Sequence, residues 1–187
     1  PGYTQQYLTS YAVKDYMEVV NPSRIKMREL SLSVIDVAMA SSEKTFIQYA
    51  SKQSRISNAY KKWIGQNLGL NEKAALAKKR AQEAKYLKTV PRDGEYKNLL
   101  QNMKNLQVRL TKYEQANSLH RELWYYGPEI IRFSESFSKL IEENSTEKNA
   151  DKLKRATAFF NKYNSDIDAA ILSKLLPVYF EMLDDDL

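Results

Sequence analysis

Between Phe46 and Leu70 the chain reads FIQYASKQSRISNAYKKWIGQNLGL, and its bulky residues recur at steps of three and four. Phe46, Tyr49, Gln53, Ile56, Tyr60 and Trp63 therefore share one side of a helix, while Ile47, Ser51, Ser54, Asn58, Lys61 and Gly65 occupy the opposite side. This pattern predicts a helix held by an aromatic face, its small and polar face open to solvent or to close approach, ending between Gly65 and Gly69. Upstream, Thr4 is placed to cap a first helix through Val20, packed by Tyr7, Leu8, Tyr11, Tyr16, Met17 and Val20. Asn21-Pro22 then reads as a restart, an N-cap followed by proline at the first helical position. From Pro22 to Ala40 two stripes lie nearly opposite each other: Ile25, Leu32, Ile35 and Met39 on one, Met27, Leu30, Val34 and Val37 on the other. A helix apolar on two sides is buried between neighbours. Ser41 and Ser42 break it and cap the aromatic helix.

Downstream, Glu72 to Lys88 is rich in alanine and lysine, with Tyr86 the lone aromatic among its charges. Nucleic-acid readers interleave aromatics or arginines with the charge, so this stretch reads as a solvated face. Pro91-Arg92-Asp93-Gly94 is a turn. The longest helix is expected from Glu95 to Tyr126, where Tyr96, Leu99, Met103, Leu106, Leu110, Tyr113, Asn117, His120 and Trp124 keep a heptad rhythm. Such a seam implies a long antiparallel partner or a dimer. Gly127-Pro128 ends it, and a helix from Pro128 to Glu143 follows, packed by Ile130, Ile131, Phe133, Phe137, Leu140 and Ile141. Asn144 to Asn149 forms a polar loop before helices from Ala150 to Tyr163 and from Asp166 to Met182. Asn164 or Ser165 caps the last, and Pro177 should kink or restart it. The sum is an all-α fold, an irregular antiparallel bundle of seven to eight helices with one long central helix.

Composition narrows this reading without redirecting it. A chain of 187 residues is one domain by the usual size range, with enough apolar residues for a core of its own. It has no cysteine, so disulfides and thiol chemistry are excluded, though the compartment is not fixed by that. The charge of +6 reflects mixed signs along solvated helices rather than a basic patch. No apolar run reaches the roughly 18 residues of a membrane span. The Pro-Gly opening, without an initiating methionine, suggests a piece of something longer.

Little here can carry chemistry. His120 is the one histidine and so the one candidate base near neutral pH, but no carboxylate stands at a spacing that would orient it. On the heptad seam, one turn after Asn117, it reads as a polar layer that selects a helix register. Glu142, Glu143 and Asp184 to Asp186 sit at helix ends, and a di-iron bundle needs two Glu-x-x-His pairs. No cofactor and no metal are expected, and the chain by itself is not expected to be catalytic.

The run YASKQSRISNAYKKWIGQNLGL (Tyr49 to Leu70) resembles the helical domain of the S46 family of serine dipeptidyl-peptidases. So do PGYTQQYLTSY at the start, NPSRIKMRE from Asn21 to Glu29, GPEIIRFSESF after the long helix, and FFNKYNSDIDAAILSKLL near the end. Where many members carry two adjacent aromatics after the serine-asparagine pair, this chain has Ala59 and Tyr60. The resemblance implies a parent enzyme with a chymotrypsin-like double β-barrel whose triad lies outside this chain. Residues 1–20 would adjoin that catalytic domain, and residues 21–187 would form a helical cap that restricts cleavage to dipeptides from free peptide N-termini. It implies export to the periplasm or cell surface, and a peptide substrate as the partner. The family's asparagine that helps hold the substrate's α-amino group falls on Asn58, which the periodicity has already put on the open face. An amide oxygen accepts from an ammonium without neutralising it. The other reading that the residues allow is a free-standing helical interaction module using the basic face of Glu72 to Lys88.

Overall fold

The computed structural model describes residues 7–141, 146–184 and 186. Every regular element among them is helical: α1 (Ser10–Asp15), a π-helical turn (Tyr16–Val20), α2 (Asn21–Ser41), α3 (Glu43–Glu72), α4 (Ala75–Thr89), α5 (Leu99–Tyr126), α6 (Glu129–Ile141), α7 (Thr146–Phe160) and α8 (Ser165–Met182). The all-α expectation holds. Because α1, the π turn and α2 run on without interruption, the described residues form seven continuous helical segments.

That continuity corrects the restart expected at Asn21-Pro22. Asn21 has helical angles (φ −66°, ψ −44°), and its N–H bonds back to the Tyr16 carbonyl, one residue further than in an α-helix. Proline inside a helix removes a hydrogen bond and crowds the carbonyl four residues back, and one widened turn relieves both. In the widened register the Met17 carbonyl would face the nitrogen of Pro22, which has no hydrogen to give. The Asn67 side chain of α3 donates to that carbonyl at 3.1 Å and accepts from the buried Asn21 amide at 2.8 Å. The true N-cap of this run is Thr9 (φ −67°, ψ 162°), whose hydroxyl accepts from Ala12 N at 3.2 Å. Glu83 of α4 reaches across to take both Ser10 N and Ser10 Oγ, each at 2.6 Å. Tyr7 and Leu8 precede the helix; the Pro1-Gly2 turn and the Thr4 cap lie outside the described residues.

Ser42 caps α3 as expected, accepting from Thr45 N at 3.4 Å. The 28-residue α5 is not the longest helix among the described residues: α3 alone has 30. It passes through Gly65 and Gly69, because a glycine costs a helix about 1 kcal/mol relative to alanine but does not reverse the chain. The reversal comes at Ala74, in the left-handed region at φ 48°. Helices α2 and α3 run antiparallel, as cross-links from Met17 to Asn67, Arg28 to Ile56 and Asp36 to Gln53 show.

The heptad seam of α5 is where pattern and structure part. Leu99, Leu106, Leu110 and Tyr113 are exposed, as are Asn117 and His120, and α5 begins only at Leu99. The buried face is Ser118, Leu119, Glu122 and Leu123, confined to the C-terminal half. His120 is therefore no polar layer; it stacks on Trp124 in solvent, ring centroids 5.3 Å apart. The expected antiparallel partner is α8, with Lys112 beside Asp184 and Gly127 beside Leu175, while along α1 and α2 the helix runs parallel. Asp15 accepts from Thr111 and Gln107, Ser23 from Gln115 at 3.1 Å, and Arg28 pairs with Glu122. The repeat identified a helix, but its buried side lies off that stripe, where Leu119 and Leu123 join the core and Glu122 meets Arg28.

The core gathers Met27, Leu32 and Ile35 of α2, Tyr49 and Ile56 of α3, Leu119 and Leu123 of α5, and Ile167, Ile171 and Leu175 of α8. Phe46 and Val37, both read as packing residues, are exposed instead. Gly127 lets the end of α5 touch α8: a β-carbon there would lie 2.3 Å from the Leu123 carbonyl oxygen and 3.0 Å from Leu175. Pro177 neither kinks α8 into two helices nor restarts it, since it and the carbonyl it leaves free at Ser173 sit on the exposed side. Asn164 caps α8 through two bonds of 3.1 Å. Helix α7 starts at Thr146, earlier than expected; residues 144–145 of the expected polar loop, and 142–143 at the end of the helix expected before it, lie outside the described residues.

At the centre Arg28 is buried with Glu122, its Nε at 2.6 Å and Nη2 at 3.2 Å from the two carboxylate oxygens. Its Nη1 donates to the Arg55 and Ile56 carbonyls of α3 at 3.2 and 3.3 Å. The guanidinium also lies over the rings of Tyr126 (4.1 Å) and Trp63 (4.8 Å). Burial pushes the Glu122 carboxyl pKa up and Arg28 opposes this. Removing one member leaves the other charged, dry and unpaired. Glu122→Ala should therefore cost about 3–5 kcal/mol in urea unfolding, and the double replacement Arg28→Met, Glu122→Leu should recover most of it. A single variant within about 1 kcal/mol of the wild type would show the pair to be energetically idle.

Candidate functional site

Helix periodicity places Asn58 about 200° around α3 from Ile56, whose side chain is 1% exposed in the core. Asn58 is accordingly exposed, and its amide makes no hydrogen bond to another described residue. The helix that carries it cannot roll freely. Arg28 grips its backbone at Arg55 and Ile56, and Tyr49 and Ile56 are fixed in the core. The amide is thus presented from a rigid element, three residues past Arg55. His120, the other residue singled out by sequence, is on α5 and joins no carboxylate. It is not part of this surface.

Beside it the fold makes a cavity of about 330 Å³ that no sequence pattern indicated. Lys52, Arg55 and Ile56 of α3 form one wall, and Tyr125 and Tyr126 at the end of α5 a second. Glu129, Arg132 and Phe133 of α6 and Arg155 and Phe159 of α7 complete the lining. Phe133 and Phe159 stack at 4.0 Å and hold α6 to α7. These residues come from four helices and a tight Gly127-Pro128 connection, so spacing along the chain carries no trace of the site.

A buried polar cluster supports its floor. Asp168 of α8 caps α6 from outside, accepting from Glu129 N at 2.7 Å and Ile130 N at 3.0 Å. Those two amides belong to the helix start that has no intrahelical acceptor. Lys52 is 8% exposed; its ammonium stands 3.7 Å from Glu129 and 3.9 Å from Asp168, inside ion-pair range but too far for a hydrogen bond. Desolvation lowers the Lys52 pKa, more than the two carboxylates raise it. Tyr49 Oη is buried without a hydrogen-bond partner among the described residues, and burial next to Glu129 and Asp168 pushes its pKa well above the ordinary phenol value. Burial and the Asp168 carboxylate raise Tyr163 likewise. The arrangement offers an exposed hydrogen-bonding amide and, one turn away, a positively charged aromatic pocket. Among the described residues no group of three or more acidic or histidine side chains could hold a metal ion. No described helix is long and apolar enough to cross a membrane.

Comparison with known proteins places these features in context. The model of the peptidase S46 family matches residues 1–186. An Asp/Glu-specific dipeptidyl-peptidase of Flavobacterium psychrophilum is 30% identical over 96% of this chain and 26% of its own length. A dipeptidyl-peptidase 7 of Phocaeicola vulgatus is 31% identical over 100% of this chain and 27% of its own length. The Asp/Glu-specific dipeptidyl-peptidase of Capnocytophaga gingivalis is 29% identical over 96% of this chain and 26% of its own length. The chain spans about a quarter of the length of the curated relatives it matches.

The buried lysine makes a pH prediction. A lysine whose pKa is lowered in the folded state binds its proton less well there than when unfolded, where the value is 10.5. Below that lowered value the charge is a cost to folding, and the cost is relieved as pH rises from it towards 10.5. Lys52→Met should therefore unfold no more easily than the wild type at neutral pH, and its advantage should shrink as the pH approaches 10.5. Denaturant melts at both ends of that range check this; an advantage that grows with pH would reverse the sign.

Proposed function

The chain belongs to the peptidase S46 family, and from that premise we propose that it is the helical cap of an exported serine dipeptidyl-peptidase acting on free peptide N-termini. The relatives' names supply the reaction, and their length supplies the rest of the enzyme: about three-quarters of each lies outside the stretch matched here. In this reading the triad, the oxyanion hole and the primary specificity pocket belong to a catalytic β-barrel in the remainder of the parent. Residues 1–20 adjoin that barrel, and residues 21–187 lean over its cleft. The parent works in the periplasm or at the cell surface.

The observation that carries the proposal is the setting of Asn58. Its amide is exposed on a helix whose roll is fixed by the core and by Arg28. Its oxygen is available to the substrate's α-ammonium. A side chain so placed orients a charged group at little entropic cost, because the backbone beneath it is already rigid. The apolar stripe of α5, with Leu99, Leu106, Leu110 and Tyr113 exposed, fits a domain that packs against more of its own chain. The basic residues of α4 fit a solvated face better than a docking surface: Glu83 ties that helix to α1, and Lys78, Arg80, Lys85 and Lys88 point to solvent.

The test needs the full-length parent. A hydrogen bond to a charged group contributes about 1.5–3 kcal/mol, so Asn58→Ala should lower kcat/KM on free-N-terminus dipeptidyl substrates by about ten- to a hundredfold. Its unfolding midpoint should not move, since the side chain leaves no cavity. Trp63→Ala should behave the other way. Trp63 is half-buried beneath the Arg24 and Arg28 guanidiniums, at 5.4 and 4.8 Å from its ring. Its loss should cost stability, within about 0.5–3 kcal/mol, before it costs rate. An Asn58→Ala enzyme with unchanged kcat/KM would remove the assignment.

A further inference from the structure

We propose that the cavity between α3, α6 and α7 is a binding site for a carboxylate carried on an aromatic or aliphatic body, the chemistry of a peptide C-terminus or an acidic residue. The lining puts four cations, Lys52, Arg55, Arg132 and Arg155, against the one carboxylate of Glu129. The three arginines stand on three different helices around one opening. Arg132 and Arg155 form no ion pair with any described residue, and Arg55 only touches the Ser51 carbonyl of its own turn at 3.4 Å. Guanidiniums that line one cavity from three helices, with no carboxylate partner among the described residues, are available to an anion, because their planar donors match a carboxylate two bonds at a time.

The walls choose the body of the ligand. Phe133 and Phe159, stacked on each other, make the lining largely aromatic together with Tyr125 and Tyr126, so a small inorganic anion would leave most of the cavity unfilled. A volume near 330 Å³ suits one or two amino-acid residues. The start of α6 does not hold the anion, since Asp168 already takes its first two amides. Lys52 contributes differently from the arginines. Its ammonium is sealed from solvent and faced by Glu129 and Asp168 at 3.7 and 3.9 Å, so it offsets those carboxylates and leaves the cavity's positive charge to the three arginines. The three arginines repel an ammonium, so this pocket and Asn58 cannot exchange roles. The site stands on the cavity alone and does not depend on the role given to Asn58.

Isothermal titration of the whole chain at low salt, using N-acetyl-phenylalanine as the probe, tests this. N-acetyl-phenylalaninamide removes the carboxylate and should bind on the order of tenfold more weakly or not at all. N-acetyl-aspartic acid α-amide presents a side-chain carboxylate, so comparing it with N-acetyl-phenylalanine shows whether a C-terminus or an acidic residue is preferred. Arg132→Gln and Arg155→Gln are exposed positions where the fold should survive, and each should weaken binding severalfold. Lys52→Met should weaken it without removing any direct contact. Amide NMR shifts on binding should fall on residues 129–136 and 155–159. Equal binding of acid and amide, unchanged affinity in both arginine variants, or shifts centred elsewhere would overturn the site. Tighter binding of phenyl phosphate than of the carboxylate would overturn its assignment to a carboxylate.

Discussion

A single guanidinium sets the geometry of this domain. Arg28 leaves α2, meets both oxygens of Glu122 on α5, and donates to two backbone carbonyls of α3. Three helices are thereby fixed in roll and register by one side chain. Taking that pair out of water is costly, and a well-packed apolar trio of the same volume would hold the helices as firmly. What the pair adds is direction. Hydrophobic contacts among Met27, Ile35, Ile56, Leu119 and Leu123 tolerate small rotations, whereas a bidentate fork with two further donors does not. The parallel run of α5 along α2 follows from the same pair, together with Asp15 and Ser23 further up.

Long-range carboxylates finish what local sequence leaves undone. Glu83 takes the first amide of α1 from 73 residues away, and Asp168 takes two amides of α6 from nearly 40 residues away. Such caps obey the same chemistry as a local N-cap but leave no motif, because the acceptor and the helix it serves are apart in sequence. This explains what could be read beforehand. The Ser42 and Asn164 caps, the Pro91 to Gly94 turn and the Gly127-Pro128 stop are local, and all were legible. Pro22 and Pro177 were misread because a π turn held by Asn67 and a solvent-facing carbonyl at Ser173 are tertiary facts. The heptad on α5 was misread for a related reason. A repeat defines a stripe, but the residues that turn inward are Leu119 and Leu123, in the core, and Glu122, paired with Arg28, all off that stripe.

The two halves of the candidate surface differ in the same way. The outward direction of Asn58 could be inferred, since it needs only the helical angle from Ile56. The neighbouring cavity could not, since Lys52, Arg132 and Arg155 meet only after four helices have packed. Helix α3 joins the two, offering a neutral amide on one flank and Arg55 on the next. On the proposed reading, an ammonium is taken at the first position and repelled at the second.

The central claim is that the rigid outer face of α3 meets the amino end of a peptide. A crystal structure of the full-length parent, with its nucleophile inactivated and a dipeptide bound in its cleft, would test it most directly. The account predicts the Asn58 side-chain oxygen within about 3.2 Å of the dipeptide's terminal nitrogen, with α3 in the same roll relative to Arg28. A dipeptide whose amino group is held entirely by the catalytic domain, with Asn58 still in solvent, would contradict it.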